Sequence, residues 1–299
     1  MDYLTLAPGL PASSRLGFGC GSVMGRVGRS QSLRALGAAL DAGITHFDVA
    51  RLYGYGEAEA LLGEALKGKR QHVVVASKFG LQATRAAGAL RALKPIAQKL
   101  ASSIPGARAV LRSLVGVAAQ PADRFSAASA AASLDQSLAA LKTDYLDILF
   151  LHDCAAGDVS GELLDFLDRQ VAAGKIRAYG AATDIEAALA LAEAHGDRLI
   201  YQFANGMFAP NPECLGGGLR IVAHSPFFGA ARLGSRADAH QILLSHALAA
   251  PGVAVVLCSM LGETHLRANL AVAEQPASAE ALGDAAAAME FATACASTT

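Results

Sequence analysis

Short runs rich in Val, Ile, Leu and Phe alternate along this chain with longer stretches rich in Ala and Leu, and the alternation recurs about eight times. Residues 15–20 form the first run, after a predicted hairpin around Ala7, Pro8 and Gly9. The pattern then predicts a helix over 32–42 stopped by Gly43, a strand over 46–50, and a helix over 57–66 ending near Gly68. Residues 73–78 read Val-Val-Val-Ala-Ser-Lys, a nearly continuous apolar run expected of a parallel strand covered on both faces. Further on, helices are predicted over 126–141 and 162–173, the second closed by Gly174. Strands are predicted over 146–152, near 178, and over 199–203, 219–223 and 253–257.

Eight strands separated by helices suit a closed parallel (β/α)8 TIM barrel better than a doubly wound open sheet. An open dinucleotide-binding sheet would also call for G-x-G-x-x-G in the turn from first strand to first helix. The chain offers Gly17-Phe18-Gly19-Cys20-Gly21, whose glycines sit within the strand. Residues 81–124 interrupt the rhythm, being far longer than the roughly 2–6 residues usual between strand and helix. They are rich in Ala, Leu, Arg and Lys and carry Pro95, Pro105 and Pro121. They read as an inserted segment of accessory helices within one barrel domain over 1–299. Leaving the C-terminal end of a strand, the insertion belongs on the face where barrels build their sites, as a cap over substrate or as surface decoration.

Composition narrows the function. With 53% hydrophobic and 17% charged residues in 299, a large core is assured. A formal charge of -1 without runs of Lys or Arg argues against nucleic acid or an anionic membrane as partner. The five cysteines are scattered and form no C-x-x-C pair, which fits free thiols in a reducing compartment. Cys154 reads as a small apolar filler. The N-terminus lacks the basic and apolar regions of a signal peptide, and no apolar run approaches the roughly 20 residues that span a bilayer. A cytoplasmic, soluble protein with no metal is expected, a monomer by default.

Four polar residues stand at strand ends on the same mouth of the predicted barrel. Asp48 ends the second strand, Tyr53 follows five residues later, Lys78 ends the third and His152 the fourth. Taken singly, each has an ordinary explanation: a helix cap, a solvated charge, a hydrogen-bonded core histidine. Together they form a proton-transfer set. A phenol titrates near about 10, and a neighbouring cation lowers that by roughly 1–3 units. Lys78 would be that cation, Asp48 would fix its ammonium, and His152 would align a substrate oxygen with the phenol. A positioned general acid of this kind is worth about 10²–10⁴ in rate.

The stretch Asp41-Ala42-Gly43-Ile44-Thr45-His46-Phe47-Asp48-Val49-Ala50, followed by Tyr53-Gly54-Tyr55-Gly56-Glu57 and Leu62-Gly63, strongly resembles the signature of the aldo-keto reductase superfamily. The resemblance continues through Ser77-Lys78, Thr143-Asp144-Tyr145-Leu146-Asp147, Leu151-His152, Gly174-Lys175-Ile176-Arg177, Ser225-Pro226 and Asn269-Leu270. It implies a (β/α)8 barrel that binds NAD(P)H in extended form and reduces an aldehyde or ketone to an alcohol, or the reverse. It also implies Asp48, Tyr53, Lys78 and His152 as the catalytic tetrad.

The resemblance further implies cofactor contacts at Gly21, Asp48, Thr183, Gln202, His224, Ser225, Pro226, Phe227, Ser259, His265, Arg267 and Asn269. Several depart from the family pattern. Ala182 and Thr183 stand where relatives carry the Ser and Asn that hold the nicotinamide amide, while Gln202 matches the amide-binding Gln. His224 replaces a stacking Tyr. Ser259 and His265 align with positions where NADPH-preferring relatives place Lys or Arg, and Arg267 is either a reader of the 2′-phosphate or a solvated charge. NADP(H) is the family default and NAD(H) stays open. Gly262-Glu263-Thr264 opens a helix whose amides could cradle a phosphate.

Two other readings share the barrel. Lys78 could be the nucleophile of a Schiff-base lyase, although an ion-paired lysine stays protonated. The chain could also be a non-catalytic nicotinamide-binding sensor or subunit. The substrate is expected to be a moderately large carbonyl in an apolar-walled site, set by residues 81–124, 205–218 and the C-terminal tail, with Phe79, Phe208 and Phe227 as candidate walls.

Overall fold

In the computed structural model the described residues are 1–81, 123–208 and 220–296, with side chains as far as 287. The expected helical cap over 81–124 lies almost entirely outside them. The chain opens with a hairpin, β1 (Tyr3–Leu4) antiparallel to β2 (Ser13–Ser14). Its turn closes through Leu10 N–H donating to the Ala7 carbonyl at 3.1 Å. Gly9 takes the positive φ of +83° that such a turn asks of its second central residue.

Eight parallel strands follow and close on themselves: β3 (Leu16–Gly19), β4 (His46–Asp48), β5 (Val74–Phe79), β6 (Leu146–His152), β7 (Ile176–Ala182), β8 (Ile200–Ala204), β9 (Ile221–His224) and β10 (Val253–Cys258). The order around the barrel is β10-β3-β4-β5-β6-β7-β8-β9. The expected (β/α)8 barrel is thus observed, with strand boundaries within two residues of those expected and β6 over the expected 146–152. Around it lie α1 (Arg29–Asp41), α2 (Ala58–Ala65), α3 (Ala127–Leu141), α4 (Gly161–Ala172), α5 (Ile185–His195), α6 (Ala239–Ala249), α7 (Glu263–Glu274) and α8 (Ala279–Ala296). Ser126, Ser160 and Asp184 cap α3, α4 and α5 by accepting from the backbone N–H three residues on, each satisfying a donor the helix leaves open. Among the described residues no helix is long and apolar enough to cross a membrane.

The period-two alternation of each strand sorts its side chains into two cores. Val74 and Ala76 of β5, Ile148 and Phe150 of β6, Ile200 of β8 and Val222 of β9 fill the barrel. Val75, Phe79, Leu149, Leu151, Tyr201 and Phe203 pack between barrel and helices. Gly17 faces inward because a Cβ there would fall 2.7 Å from Leu257 and 2.9 Å from Val255. At the end of the barrel where the strands begin, Asp147 is fully buried, ion-paired with Arg70 and Arg177, each at 2.8 Å, and accepts from the Val75 N–H, also at 2.8 Å. This clamp ties the starts of β5, β6 and β7 together.

Candidate active site

Carried one step further along each strand, the inward-facing set becomes polar: Asp48 on β4, Lys78 on β5, His152 on β6, Gln202 on β8 and His224 on β9. All five line one cleft of about 870 Å³ at the end where the strands finish. Ser77, one residue before Lys78, points the other way and donates to the buried Glu59 of α2 at 2.6 Å. Glu59 is in turn paired with Arg51 at 3.1 Å. This pairing holds α2 and the loop after β4 against the barrel.

Tyr53 stands on no strand. It begins a 3-10 turn over Tyr53–Gly56, after β4, that brings its ring back over the cleft. The ring centroid lies 5.5 Å from Lys78 Nζ and 6.0 Å from the His152 ring, which meets it edge-on at 89°. Lys78 and Asp48 are both buried and paired directly, Nζ to Oδ1, and Nζ also donates to the Val49 carbonyl at 3.3 Å. Gln202 Nε2 donates to the second carboxylate oxygen of Asp48 at 2.8 Å. The structure therefore brings the four expected tetrad residues together.

Their electrostatics differ from the expectation in one respect. Lys78 was expected to lower the Tyr53 pKa; instead it is raised, first by burial, then by the negative charge of Asp48 and by Cys20. The ammonium is committed to Asp48, and the phenol is held protonated. Burial also lowers His152 to about 3, with Lys78 adding to the effect, so its ring is neutral. Its Nδ1 is buried without a hydrogen-bond partner. Burial likewise lowers the pKa of His224, whose Nδ1 lies 3.0 Å from Ser225 Oγ. Cys154 is a buried free thiol pushed up to about 12, consistent with an inert filler.

Of the expected cofactor residues, Gly21, Asp48, Thr183, Gln202, His224, Ser225, Pro226, Phe227 and Ser259 line the cleft. Thr183 has already spent its hydroxyl proton on the Cys154 carbonyl at 2.6 Å, so it can only accept. Phe227 stacks on His240 of α6 at 5.0 Å and 17°. Ser225 takes φ +57°, a left-handed conformation rare for a residue with a side chain. His265, Arg267 and Asn269 do not line the cleft. Arg267 is exposed and paired with Glu263 one turn away, the solvated alternative. Asn269 is buried and accepts from His240 Nε2 at 2.8 Å, which joins α7 to α6.

The aromatic walls are also redistributed. Phe79 is buried outside the barrel against Phe125, with ring centroids 5.8 Å apart, and Phe208 packs beside Gly229 under Arg232. Phe228, 59% exposed, lines the cleft instead, together with Leu81, Ile185 and Arg26. The one available signal for these was place: each follows a barrel strand, by two to seven residues. Among the described residues no group of three or more His, Cys, Asp or Glu side chains is arranged to hold a metal ion.

Residues 15–200 match the family model "Aldo/keto reductase family", which covers more than half of the chain. The chain belongs to that family. It is 38% identical over 87 residues to aldo-keto reductase YhdN of Bacillus subtilis, and 32% identical over 152 residues to 6-dehydroglucose reductase of Novosphingobium aromaticivorans. These matches cover 27% and 48% of this chain but only 26% and 38% of the two relatives, so most of each relative's length has no counterpart in them. An aldo-keto reductase from Klebsiella pneumoniae, solved in complex with NADPH, shares the fold at a TM-score of 0.64 and 24% identity, over 92% of this chain and 90% of that one.

Proposed function

We propose that this aldo/keto reductase family member reduces an aldehyde or ketone to an alcohol, or runs the reverse reaction, with Tyr53 as the group that gives and takes the proton. One observation carries the reading: a phenol held protonated beside a neutral histidine, above a Lys78–Asp48 pair closed by Gln202. A nicotinamide dinucleotide, when bound, supplies the hydride that reaches the carbonyl carbon. Tyr53 gives its hydroxyl proton to the carbonyl oxygen as the C=O double bond becomes C–OH. His152, whose ring packs at 89° against that of Tyr53, orients that oxygen toward the phenol. Lys78 stands beside the ring and offsets the negative charge that develops on the phenol as the proton leaves.

The donor set fits the nicotinamide end of such a cofactor. Gln202, His224 and Ser259 stand on or just beyond β8, β9 and β10, across the barrel from the strands that carry the tetrad. Gln202 and Ser225 offer the hydrogen bonds a carboxamide needs, and the His224 ring offers a face for stacking. NADPH is the first cofactor to try, since a structural relative is solved with it. The lyase alternative is disfavoured because Lys78 is ion-paired, and a protonated amine does not attack a carbonyl.

The test is a side-by-side fluorescence titration with NADPH and NADH, followed by absorbance assays on a panel of aldehydes and ketones. Saturable binding of either cofactor with carbonyl-dependent oxidation supports the reading. Binding without turnover favours the non-catalytic sensor, and binding of neither overturns the dinucleotide site.

A further inference from the structure

We infer that the carbonyl substrate carries a carboxylate, and that Arg26 receives it. This rests on the reductase reading above, but its evidence is separate. Arg26 follows β3 by seven residues and lines the cleft that holds Tyr53 and His152. Among the described residues its guanidinium has no hydrogen-bond or ion-pair partner. Lys78, the other full cation on the lining, is neutralised by Asp48. The two lining histidines are kept uncharged by burial. Arg26 is therefore the one described lining cation whose charge is uncommitted.

The carboxylates on the lining are accounted for differently. Asp48 is held by Lys78 and Gln202, and Asp184 caps α5 by accepting from Ala187 N–H at 2.8 Å. Asp153 offers its backbone carbonyl to Arg124 Nη2 at 2.9 Å. Among the described residues that line the cleft, an incoming anion would meet an unpaired positive charge at Arg26. A guanidinium offers two parallel N–H donors to a carboxylate, a match that an ammonium cannot make.

The loop that carries Arg26 is built rather than loose. Arg26 N–H donates to the Ser22 carbonyl at 3.0 Å, and Met24 N–H donates to Ser32 Oγ at 3.2 Å. Met24 is buried at φ +59°, a conformation that side chains rarely adopt. The same loop is pressed against the turn of Tyr53. A Cβ on Gly54 would fall 2.7 Å from Met24 Cβ and 2.8 Å from the Val23 carbonyl. The position of Arg26 is thus referenced to the proton donor, as a residue that measures the distance between the carbonyl and a second substrate group would need. Leu81, Ile185 and Phe228 offer apolar surface for the body between them.

Two probes isolate the charge: 4-carboxybenzaldehyde, and methyl 4-formylbenzoate, which keeps the ring and aldehyde but is neutral. With the cofactor-loaded protein, the acid is expected to exceed the ester in kcat/KM by at least about 10-fold, the effect of a charge-assisted hydrogen bond. In Arg26→Met the ratio should fall to near one, mainly through KM for the acid, and Arg26→Lys should keep part of it. Equal turnover of acid and ester by the parent protein overturns the proposal, as does an acid preference that survives Arg26→Met. A calorimetric titration with 4-carboxybenzyl alcohol and its methyl ester, with and without NADPH, separates the two readings. Arg26-dependent preference for the acid without any turnover keeps the anion site and removes the reductase reading. No preference in binding or turnover removes the anion site whatever the fate of the reductase reading.

Discussion

Gln202 and Asp48 are joined by a 2.8 Å hydrogen bond that crosses the mouth of the barrel, since β8 and β4 are four strands apart in a ring of eight. The other carboxylate oxygen belongs to Lys78. Gln202 was expected to hold the nicotinamide amide; it also fixes the counter-ion of the tetrad, and so couples the proposed cofactor wall to the proton-transfer wall.

Removing that counter-ion should therefore be costly. Asp48→Asn leaves a buried ammonium without its charge partner, a change that typically destabilises by about 3–5 kcal/mol. Urea unfolding monitored by circular dichroism should show it. A loss below about 1 kcal/mol would mean that Lys78 finds solvent or another partner in the variant.

Tyr53→Phe keeps the ring and deletes the proton. Turnover is expected to fall by at least about 10², with cofactor affinity within about twofold of the parent, because the hydroxyl contributes to the transition state and little to binding. Parent-like turnover would remove Tyr53 from the proton-donor role.

Acid should weaken the fold through the buried histidines. His46 has both ring nitrogens buried without partners, and burial lowers it from 6.5 to about 4, while His152 falls to about 3. Because both folded values lie below the unfolded one, the unfolded chain binds more protons across that interval. Their contribution is complete above about pH 6.5 and is lost as pH falls toward the folded values, at up to about 1.4 kcal/mol per pH unit for each histidine. His46→Gln should flatten the decline between pH 6 and 4.5 in urea titrations by about one such increment; an unaltered slope would contradict this.

Gly63 sits where α2 crosses α3, and a Cβ there would fall 2.4 Å from the Leu141 carbonyl oxygen. Gly63→Ala must push the helices apart and should cost about 1–3 kcal/mol, as overpacking does, although alanine is the better helix former. Thermal melting of the variant, with the parent alongside, measures it. A gain in stability would show that the helices separate freely.

Much of this molecule was legible in its sequence, and for identifiable reasons. The strands announce themselves because a barrel strand is buried on both faces, as in Val74-Val75-Ala76, and the tetrad is visible because a polar residue ending such a run needs a partner. What escaped is what depends on direction or on distant neighbours. The Thr183 hydroxyl turns to Cys154, and Asn269 meets His240 from another helix. The rise in the Tyr53 pKa reflects how deeply the ring is enclosed, which no spacing reveals. Arg26 escaped because a single arginine after a strand reads as a solvated charge until the cleft around it is known.

The clamp at Asp147 has an engineering meaning. Arg70, Arg177 and the Val75 N–H fix the relative heights of three neighbouring strands from the far end of the barrel. The alignment of Lys78 with His152 is thus inherited from a foundation that shares no residue with the cleft. The rim can be rewritten for a new substrate, residue by residue, while the chassis keeps its reacting groups in register.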